Sequence, residues 1–293
     1  MNKYLIFRTD RIGDFLVSAV LIKGIKINDK DAFITIVASK KNYEYVKEFK
    51  LVDEVIVLDN GIIDKIKLIY KLRKTSFKNI IIHDNKKRSH LVSFFLKSHN
   101  KIKLGKKDYR SHIEIIKDFL KALNFPYESS FLNTITRTEN EKDILKNFIQ
   151  VHFDEKWIFD TYIKKFVKIE PSIDELTYFL DSLLNKTKKR IIITTGLVPP
   201  KILETFIKNN NNQKIVIHKN LNFFELENIV LNADVLISCH GALSHVAAAG
   251  NIKQIDIIDK SYNYKFWTKH FRNYTPVERD SFESLSFKLL SLI

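Results

Sequence analysis

The first loop of the sequence brings several charged side chains together, directly after an apolar run that predicts a strand. Arg8, Asp10, Arg11 and Asp14 lie within seven residues, with Gly13 among them. An ionised carboxylate within reach of a hydroxyl can act as a general base, and neighbouring arginines favour the ionised form. Asp14 also suits a structural role, because a carboxylate at a helix start accepts backbone N–H groups. Four charged groups exceed what capping requires, which favours a functional site in this loop.

A second group of candidate residues follows the predicted strand at 234–240. A glycine there lets the backbone approach a ligand, and the N–H groups of the next helix form an anion site suited to a diphosphate. A single buried histidine is usually structural, but two at one strand–helix turn favour a ligand site. The candidate ligand-binding residues of this turn are His240, Gly241, Ala242, Ser244 and His245.

Weaker hints come from the loop after the strand predicted at 190–196. Thr195 and Gly196 can touch phosphate or ribose, although Pro199 and Pro200 mark a helix start equally well. The spacing of the glycines fits neither a dinucleotide-binding fingerprint nor a phosphate-binding P-loop. No pair of aspartates with metal-ligand spacing occurs in a suitable loop, so we expect no metal.

The elements that must position these residues follow an alternating pattern. Short β-branched apolar runs alternate with longer helical periods, which is typical of βαβ units in doubly wound parallel sheets. The predicted strands are 3–8, 33–38, 54–59, 79–84, 148–153, 190–196, 214–218, 234–240 and 253–259. A polar stretch at 133–143 separates the two groups, which predicts domains at 1–140 and 141–293. A terminal amphipathic helix at 280–293 is free, in this interpretation, to pack back on the first domain.

Composition limits the classes of function. Hydrophobic residues make up 45% of the 293 residues, enough for two cores, and no run predicts a membrane span or a signal peptide. With a single cysteine, Cys239, the chain is predicted to be cytoplasmic.

The net charge of +15 fits binding to nucleic acid, to a membrane surface or to an anionic substrate, or a general compositional bias toward lysine. Nucleic-acid binding is disfavoured because no helix-turn-helix or zinc signature appears. A local basic cluster comprises Lys86, Lys87, Arg88, Lys97, Lys101, Lys103, Lys106, Lys107 and Arg110.

Both loop regions resemble the heptosyltransferases, the family 9 glycosyltransferases that add ADP-heptose to the inner core of lipopolysaccharide. In that family a strand precedes R-x-x-[RG]-[IL]-G-D-x-[LV], which Arg8, Ile12, Gly13 and Asp14 match. The segment 221–251 matches the family's "AD" strand, glycine and "HxAAA" helix. Its matching residues are Glu225, Leu226, Ala233, Asp234, Gly241, His245, Ala247, Ala248 and Ala249.

The resemblance implies a GT-B type α/β fold, with two Rossmann-like doubly wound domains facing a central cleft. It implies inverting transfer from a nucleotide-diphosphate sugar, a co-substrate rather than a cofactor, with Asp14 as base and Lys156 on the donor phosphate. The acceptor would be a cell-surface glycan or lipid-linked hydroxyl at the inner membrane face. The residues assigned to acceptor binding are Arg8, Arg11, Gly13, Lys86 and Arg88. Those assigned to donor binding are Lys156, Thr195, Gly196, His240, Gly241, Ala242, Ser244 and His245.

Several residues depart from the family pattern. Cys239 and His240 replace the usual Asp-[Ser/Thr] before the glycine, and the family's "FGP" turn is missing. Asp154 and Glu155 beside Lys156 would repel a diphosphate unless a cation or the helix geometry offsets their charge, and a solvated charged loop explains this segment equally well. These departures keep open a second hypothesis, a non-catalytic relative that binds sugar nucleotides and does not need Asp14.

Overall fold

The structure is a computed structural model that describes residues 1–104, 110–132, 146–158 and 166–293. The chain divides into two compact units. The first contains the described residues up to 132 together with Lys265–His270, and the second contains the described residues from 146 to Tyr264 and Phe271–Ile293. The predicted boundary between 140 and 141 lies outside the described residues. The short return segment Lys265–His270 differs from the continuous second domain that the sequence predicts.

A parallel sheet in the order β3-β2-β1-β4-β5 forms the centre of the first unit. Its order reverses between β1 and β4, which opens a crevice at the carboxyl ends of these two strands. Four of the strands are apolar runs that the sequence predicts. The strands are β1 (Asn2–Phe7), β2 (Ala32–Ala38), β3 (Glu54–Val57), β4 (Ser76–Ile82) and β5 (Lys97–Lys103).

The fifth strand, β5, falls in a segment that the sequence analysis treated only as a basic cluster. It pairs in parallel with β4 at the sheet edge, and most of its side chains are exposed. Because lysines on an edge strand discourage pairing with another chain, the lysines of β5 have a structural reason to be there. Lys106 and Lys107 of the same cluster lie outside the described residues.

Helices cover the sheet of the first unit. Leu68 and Leu72 of α3 lie in one apolar cluster with the sheet. Val92 of α4 and Leu96 just after this helix belong to the same cluster, so the two helices cover the same face. The segment Lys265–His270 joins this unit, where the rings of Phe266 and Trp267 contact His112. The helices are α1 (Ile12–Asn28), α2 (Tyr43–Lys47), α3 (Ile62–Leu72), α4 (Lys87–Phe94), α5 (His112–Ala122) and α10 (Lys265–Thr268).

The second unit repeats this plan with a six-stranded parallel sheet in the order β11-β10-β9-β6-β7-β8. Its order reverses between β6 and β9, again next to the first strand of the sheet. The strands are β6 (Phe148–Phe153), β7 (Arg190–Thr195), β8 (Ile215–His218), β9 (Val235–Cys239), β10 (Lys253–Ile258) and β11 (Tyr274–Glu278). Sequence reasoning missed β11 because it contains Pro276, and a proline is compatible with a strand only at positions such as this sheet edge.

The helices of the second unit are α6 (Ile173–Thr187), α7 (Ile202–Asn209), α8 (Phe223–Asn232), α9 (Ala242–Gly250) and α11 (Phe282–Ser291). Ser172 caps α6 and Asn222 caps α8, each paired with a glutamate three residues on. The sequence prediction allowed the terminal helix to pack on the first domain. In the structure, Phe282, Leu285 and Leu289 of α11 lie in the apolar core of the second unit. No helix in the described ranges is long and apolar enough to span a bilayer.

Leu285 offers a test of this packing. We expect Leu285→Ala to lower the free energy of unfolding by about 2–5 kcal/mol, because it leaves a cavity in the core. Phe287→Ala on the same helix removes a side chain that is 58% exposed, and we expect it to change stability by less than about 0.5 kcal/mol. Urea unfolding followed by circular dichroism measures both. Equal effects of the two substitutions would show that α11 does not pack through this face.

Candidate functional site

Polar groups bridge β1 and β4 at the switch point of the first unit. Asp84, directly after β4, accepts hydrogen bonds from the backbone N–H and hydroxyl of Thr9, at 3.2 and 2.5 Å. Ser89 donates a further hydrogen bond to the same carboxylate oxygen, at 2.8 Å. Lys86 and Arg88 both donate to the carbonyl of Thr9, at 3.2 Å. The loops after the two strands are therefore fixed to each other.

Arg8 is the buried cation of this site. Its Nε donates to the Asp14 carbonyl and its Nη1 to the His83 carbonyl, each at 2.9 Å. The guanidinium also lies 3.4 Å from an Asp10 carboxylate oxygen and 3.7 Å from one of Asp14. Its Nη2 is buried and makes no hydrogen bond with the residues that the structure describes. Arg8 thus positions both acids of the loop and keeps one donor unused.

Asp14 lies at the third position of α1, not at the N-cap that its sequence context suggests. The helix begins at Ile12, and Oδ2 of Asp14 accepts the backbone N–H of Arg11 at 3.1 Å. The side chain retains 21% exposure, so one part of the carboxylate reaches the surface. Burial raises the pKa of Asp14, the Arg8 guanidinium opposes the shift, and the Asp10 carboxylate adds to it. A higher pKa makes this carboxylate a stronger proton acceptor once it is ionised.

The remaining acceptor residues predicted from the sequence surround this loop. Gly13 is buried in the first turn of α1, and Arg11, before the helix, is exposed. Lys86 forms an ion pair with Asp10, and Arg88 donates a hydrogen bond to Asn60. A cavity of about 510 Å³ opens beside them at the carboxyl ends of the strands. Its lining residues include Thr9, Ser39, Lys40, Lys41, Asn60, Lys86 and Arg88.

In the second unit, Lys156 follows β6 and reaches the turn after β9. Its ammonium lies beside Gly241, where an added Cβ would be only 3.0 Å from Nζ. Burial works to lower the pKa of Lys156, but Asp154, Cys239 and Glu155 together raise it above its usual range. Asp154 pairs with the ammonium and also accepts the backbone N–H of Lys156, at 3.0 Å. The aspartate expected to repel a diphosphate therefore holds the lysine in place.

His240 is oriented by a buried aspartate on the neighbouring strand. Its Nδ1 lies 2.5 Å from Oδ2 of Asp256, whose side chain has no exposed surface. Ser244 donates to the other oxygen of Asp256 at 2.7 Å and accepts the N–H of Gly241 at 3.1 Å. Since an ionised carboxylate only accepts, it fixes the ring proton on Nδ1 and leaves Nε2 for a ligand.

Other predicted donor residues have mainly structural contacts. His245 is buried in α9, with its ring centroid 5.7 Å from that of His240 and 5.2 Å from that of Phe271. Gly196 permits close packing, because a Cβ there would lie 2.7 Å from the Cβ of Asp154. Thr195 ends β7, and its buried hydroxyl makes no hydrogen bond within the described ranges. Ala242 is the first residue of α9.

Sequence reasoning missed three residues that organise these sites. Asp84 and Asp256 each belong to an apolar run that the sequence analysis interpreted only as a strand. An aspartate within such a run is the feature that could have indicated a site residue. Arg279 follows the missed strand β11. It donates to the carbonyls of Val167, at 2.9 Å, and of Lys156, and its Nη1 lies 3.6 Å from the Cys239 sulfur. A second buried cation therefore lies close to Lys156.

Each unit is a Rossmann-like doubly wound domain, and together they define a two-domain α/β fold of the GT-B type. The chain is similar to Escherichia coli heptosyltransferase WaaC solved with ADP, with a TM-score of 0.74, 12% identity and coverage of 99% of this chain and 100% of that one. It is also similar to E. coli ADP-heptose LPS heptosyltransferase II, with a TM-score of 0.66, 12% identity and coverage of 100% and 99%.

The same fold occurs in UDP-GlcNAc 2-epimerase from Methanocaldococcus jannaschii, with a TM-score of 0.62, 13% identity and coverage of 100% of this chain and 92% of that one. No protein-family model and no curated protein sequence matches the chain. Since enzymes of different chemistry share the fold, the reaction has to be argued from the residues of the two sites.

The raised pKa of Asp14 predicts how stability depends on pH. The folded state holds this proton to higher pH than the unfolded state, so the contribution of Asp14 to stability falls as pH rises through the window above 3.8. Asp14→Asn does not titrate. We therefore expect the variant to gain stability relative to wild type through this window, and the difference to become constant above it, in urea unfolding at a series of pH values.

Glu114→Gln provides a control of opposite sign. Hydrogen bonds from Lys269 and Ser111 lower the pKa of Glu114 to about 2. The stabilisation of the folded state by ionised Glu114 is therefore present at neutral pH and disappears as pH falls toward that value. This variant is expected to lose stability relative to wild type as pH rises. A pH-independent difference for Asp14→Asn would contradict the burial of its carboxylate.

Proposed function

We propose that this protein is an inverting glycosyltransferase that moves a sugar from a nucleoside-diphosphate sugar to a hydroxyl of an acceptor. The observation that carries the proposal is the arrangement of the second unit, where the Lys156 ammonium lies beside Gly241 at the start of α9. A lysine and the N–H groups of a helix N-terminus suit a diphosphate leaving group. The fold shared with WaaC, which was solved with ADP, supports this assignment.

The first unit would supply the base and bind the acceptor. Asp14 takes the proton of the acceptor hydroxyl, whose oxygen attacks the anomeric carbon as the bond to the diphosphate breaks. The leaving diphosphate keeps the bonding electron pair, and Lys156 with the α9 N–H groups stabilises its charge. Arg8 holds the Asp14 loop in place through the two carbonyls that it binds. The positive charge that a metal would offer the diphosphate comes here from Lys156, so we propose a metal-independent reaction.

His240 takes the place of the hydroxyl residue in the heptosyltransferase motif. With its ring fixed by Asp256, it offers a nitrogen in place of that hydroxyl, and we propose that it binds the sugar or phosphate of the donor. The acceptor class proposed from the family resemblance is a glycan or lipid-linked hydroxyl. Lys86 and Arg88 beside the first-unit cavity suit an acceptor that carries negative charge.

Nucleotide binding tests the donor site. We expect one of ADP, UDP, GDP or CMP, or its sugar conjugate, to raise the melting temperature, with ADP the first choice because of the WaaC structure. The double variant Asp154→Asn/Lys156→Gln removes the ion pair without leaving a buried carboxylate alone. A charge-assisted hydrogen bond contributes about 1.5–3 kcal/mol, so calorimetric affinity should fall at least about tenfold.

The matched control is Lys189→Gln/Asp234→Asn. Lys189 precedes β7 and Asp234 precedes β9, so this variant removes an ion pair of 2.6 Å at the amino ends of the strands, opposite the candidate site. It should leave nucleotide affinity unchanged.

Asp14→Asn should bind the nucleotide sugar as wild type does and fail to transfer the sugar. Transfer that persists in Asp14→Asn would remove Asp14 as the base. No response to any nucleotide, with salt-sensitive stabilisation by duplex DNA, would overturn the transferase proposal.

A further inference from the structure

Two adjacent helices of the first unit expose large apolar side chains to solvent. On α3, Ile62 is 74% exposed, and three further residues of the helix are also exposed. On α4 and its C-cap, Phe94 is 76% exposed and Phe95 54% exposed, and Leu91 is exposed as well. We call this surface the α3–α4 outer face. Its apolar members are Ile62, Ile63, Ile66, Tyr70, Leu91, Phe94 and Phe95.

Helical spacing gathers these residues into stripes. Residues 62, 66 and 70 lie four apart on α3, and residues 91, 94 and 95 lie three and four apart on α4. The inward side chains Leu68, Leu72, Val92 and Leu96 belong to one cluster on the sheet. Both exposed stripes therefore belong to the outer side of a single helical layer. A cluster of this size on a protein surface is characteristic of an interaction site.

Positive charge is concentrated on the same segment. Residues 61–104 contain twelve lysines and arginines and only two aspartates, whereas the whole chain has 49 basic and 34 acidic residues. Lys67 and Lys87 are exposed on the two helices, and Lys74 is exposed just after α3. Arg73 and Lys74 lie 4.5 and 5.1 Å from the centroid of the Tyr70 ring. A lysine-rich bias spread evenly over the chain does not explain this concentration.

We infer that the α3–α4 outer face docks on a lipid bilayer that carries anionic headgroups. Isoleucine and aromatic side chains enter the boundary between headgroups and acyl chains, while lysines at the same level attract anionic lipid. A second copy of this face would bring like charges together, and nucleic acid offers no apolar surface for the isoleucines. An anionic bilayer satisfies both features. The inference stands apart from the proposed glycosyl transfer, since none of these side chains belongs to the two sites.

Vesicle co-sedimentation tests the inference without any activity measurement. We expect the protein to bind vesicles of phosphatidylcholine mixed with phosphatidylglycerol, to release them as ionic strength rises, and to bind pure phosphatidylcholine far more weakly. Phe94→Ser/Phe95→Ser should weaken partition at least about tenfold, because two aromatic rings no longer enter the bilayer. Phe287→Ser, at a site with 58% exposure on α11 of the second unit, is the matched control and should bind as wild type.

Two double charge-reversal variants distinguish binding through this local surface from attraction by the overall net charge. Lys67→Glu/Lys74→Glu should abolish most binding, whereas Lys208→Glu/Lys219→Glu, exposed in the second unit, changes the net charge equally and should have little effect. Equal loss in both double variants, or no binding to anionic vesicles at low ionic strength, would overturn the inference. Sedimentation showing a dimer that Phe94→Ser/Phe95→Ser converts to monomer would overturn it too, and assign the face to self-association.

Discussion

A largely buried cation in the loop after the first strand of each sheet is the feature on which both sites depend. In the first unit it is Arg8 after β1, and in the second it is Lys156 after β6. A charge removed from water destabilises a protein unless it is paired and hydrogen-bonded. Arg8 meets this condition through two carbonyls and two carboxylates, and Lys156 meets it through Asp154.

The position of these cations follows from sheet topology. In both units the first strand lies next to the point where strand order reverses, so the following loops diverge and leave room for a ligand. In each unit the cation lies between this loop and the loop of the strand across the switch. Arg8 binds the carbonyl of His83 after β4, and Lys156 reaches Gly241 after β9. The two units thus share one arrangement of strand, cation and loop. They differ in the group available to a ligand, which is the Asp14 carboxylate in the first unit and the helix N-terminus at Gly241 in the second.

The sequence predicted the parts of this plan that local pattern controls. Continuous β-branched runs predicted β1, β2, β4 and β9, because strands buried on both faces need apolar residues throughout. The edge strand β5 is polar and β11 contains Pro276, so neither has that pattern. Asp14 and the turn around Gly241 were proposed as site residues from residue type and from the family resemblance.

The partners of these residues could not be predicted, because they depend on the register between distant strands. Thr9 meets Asp84 from 75 positions away, and Arg279 meets the carbonyl of Lys156 from 123. The cation that offsets the charge of Asp154 could not be predicted for the same reason, since its ion pair with Lys156 depends on the fold of the loop. The α3–α4 outer face was also not recognised, because an amphipathic pattern does not show which apolar residues remain exposed.

Hydrogen exchange of the backbone amides tests the central claim, that a nucleoside diphosphate binds at the start of α9. Exchange is compared with and without ADP, and then with UDP and GDP. The account predicts that one of these nucleotides slows exchange in the segment 240–245, with little change in 8–14. Protection of 8–14 with none in 240–245 would place the nucleotide on the first unit and contradict the account.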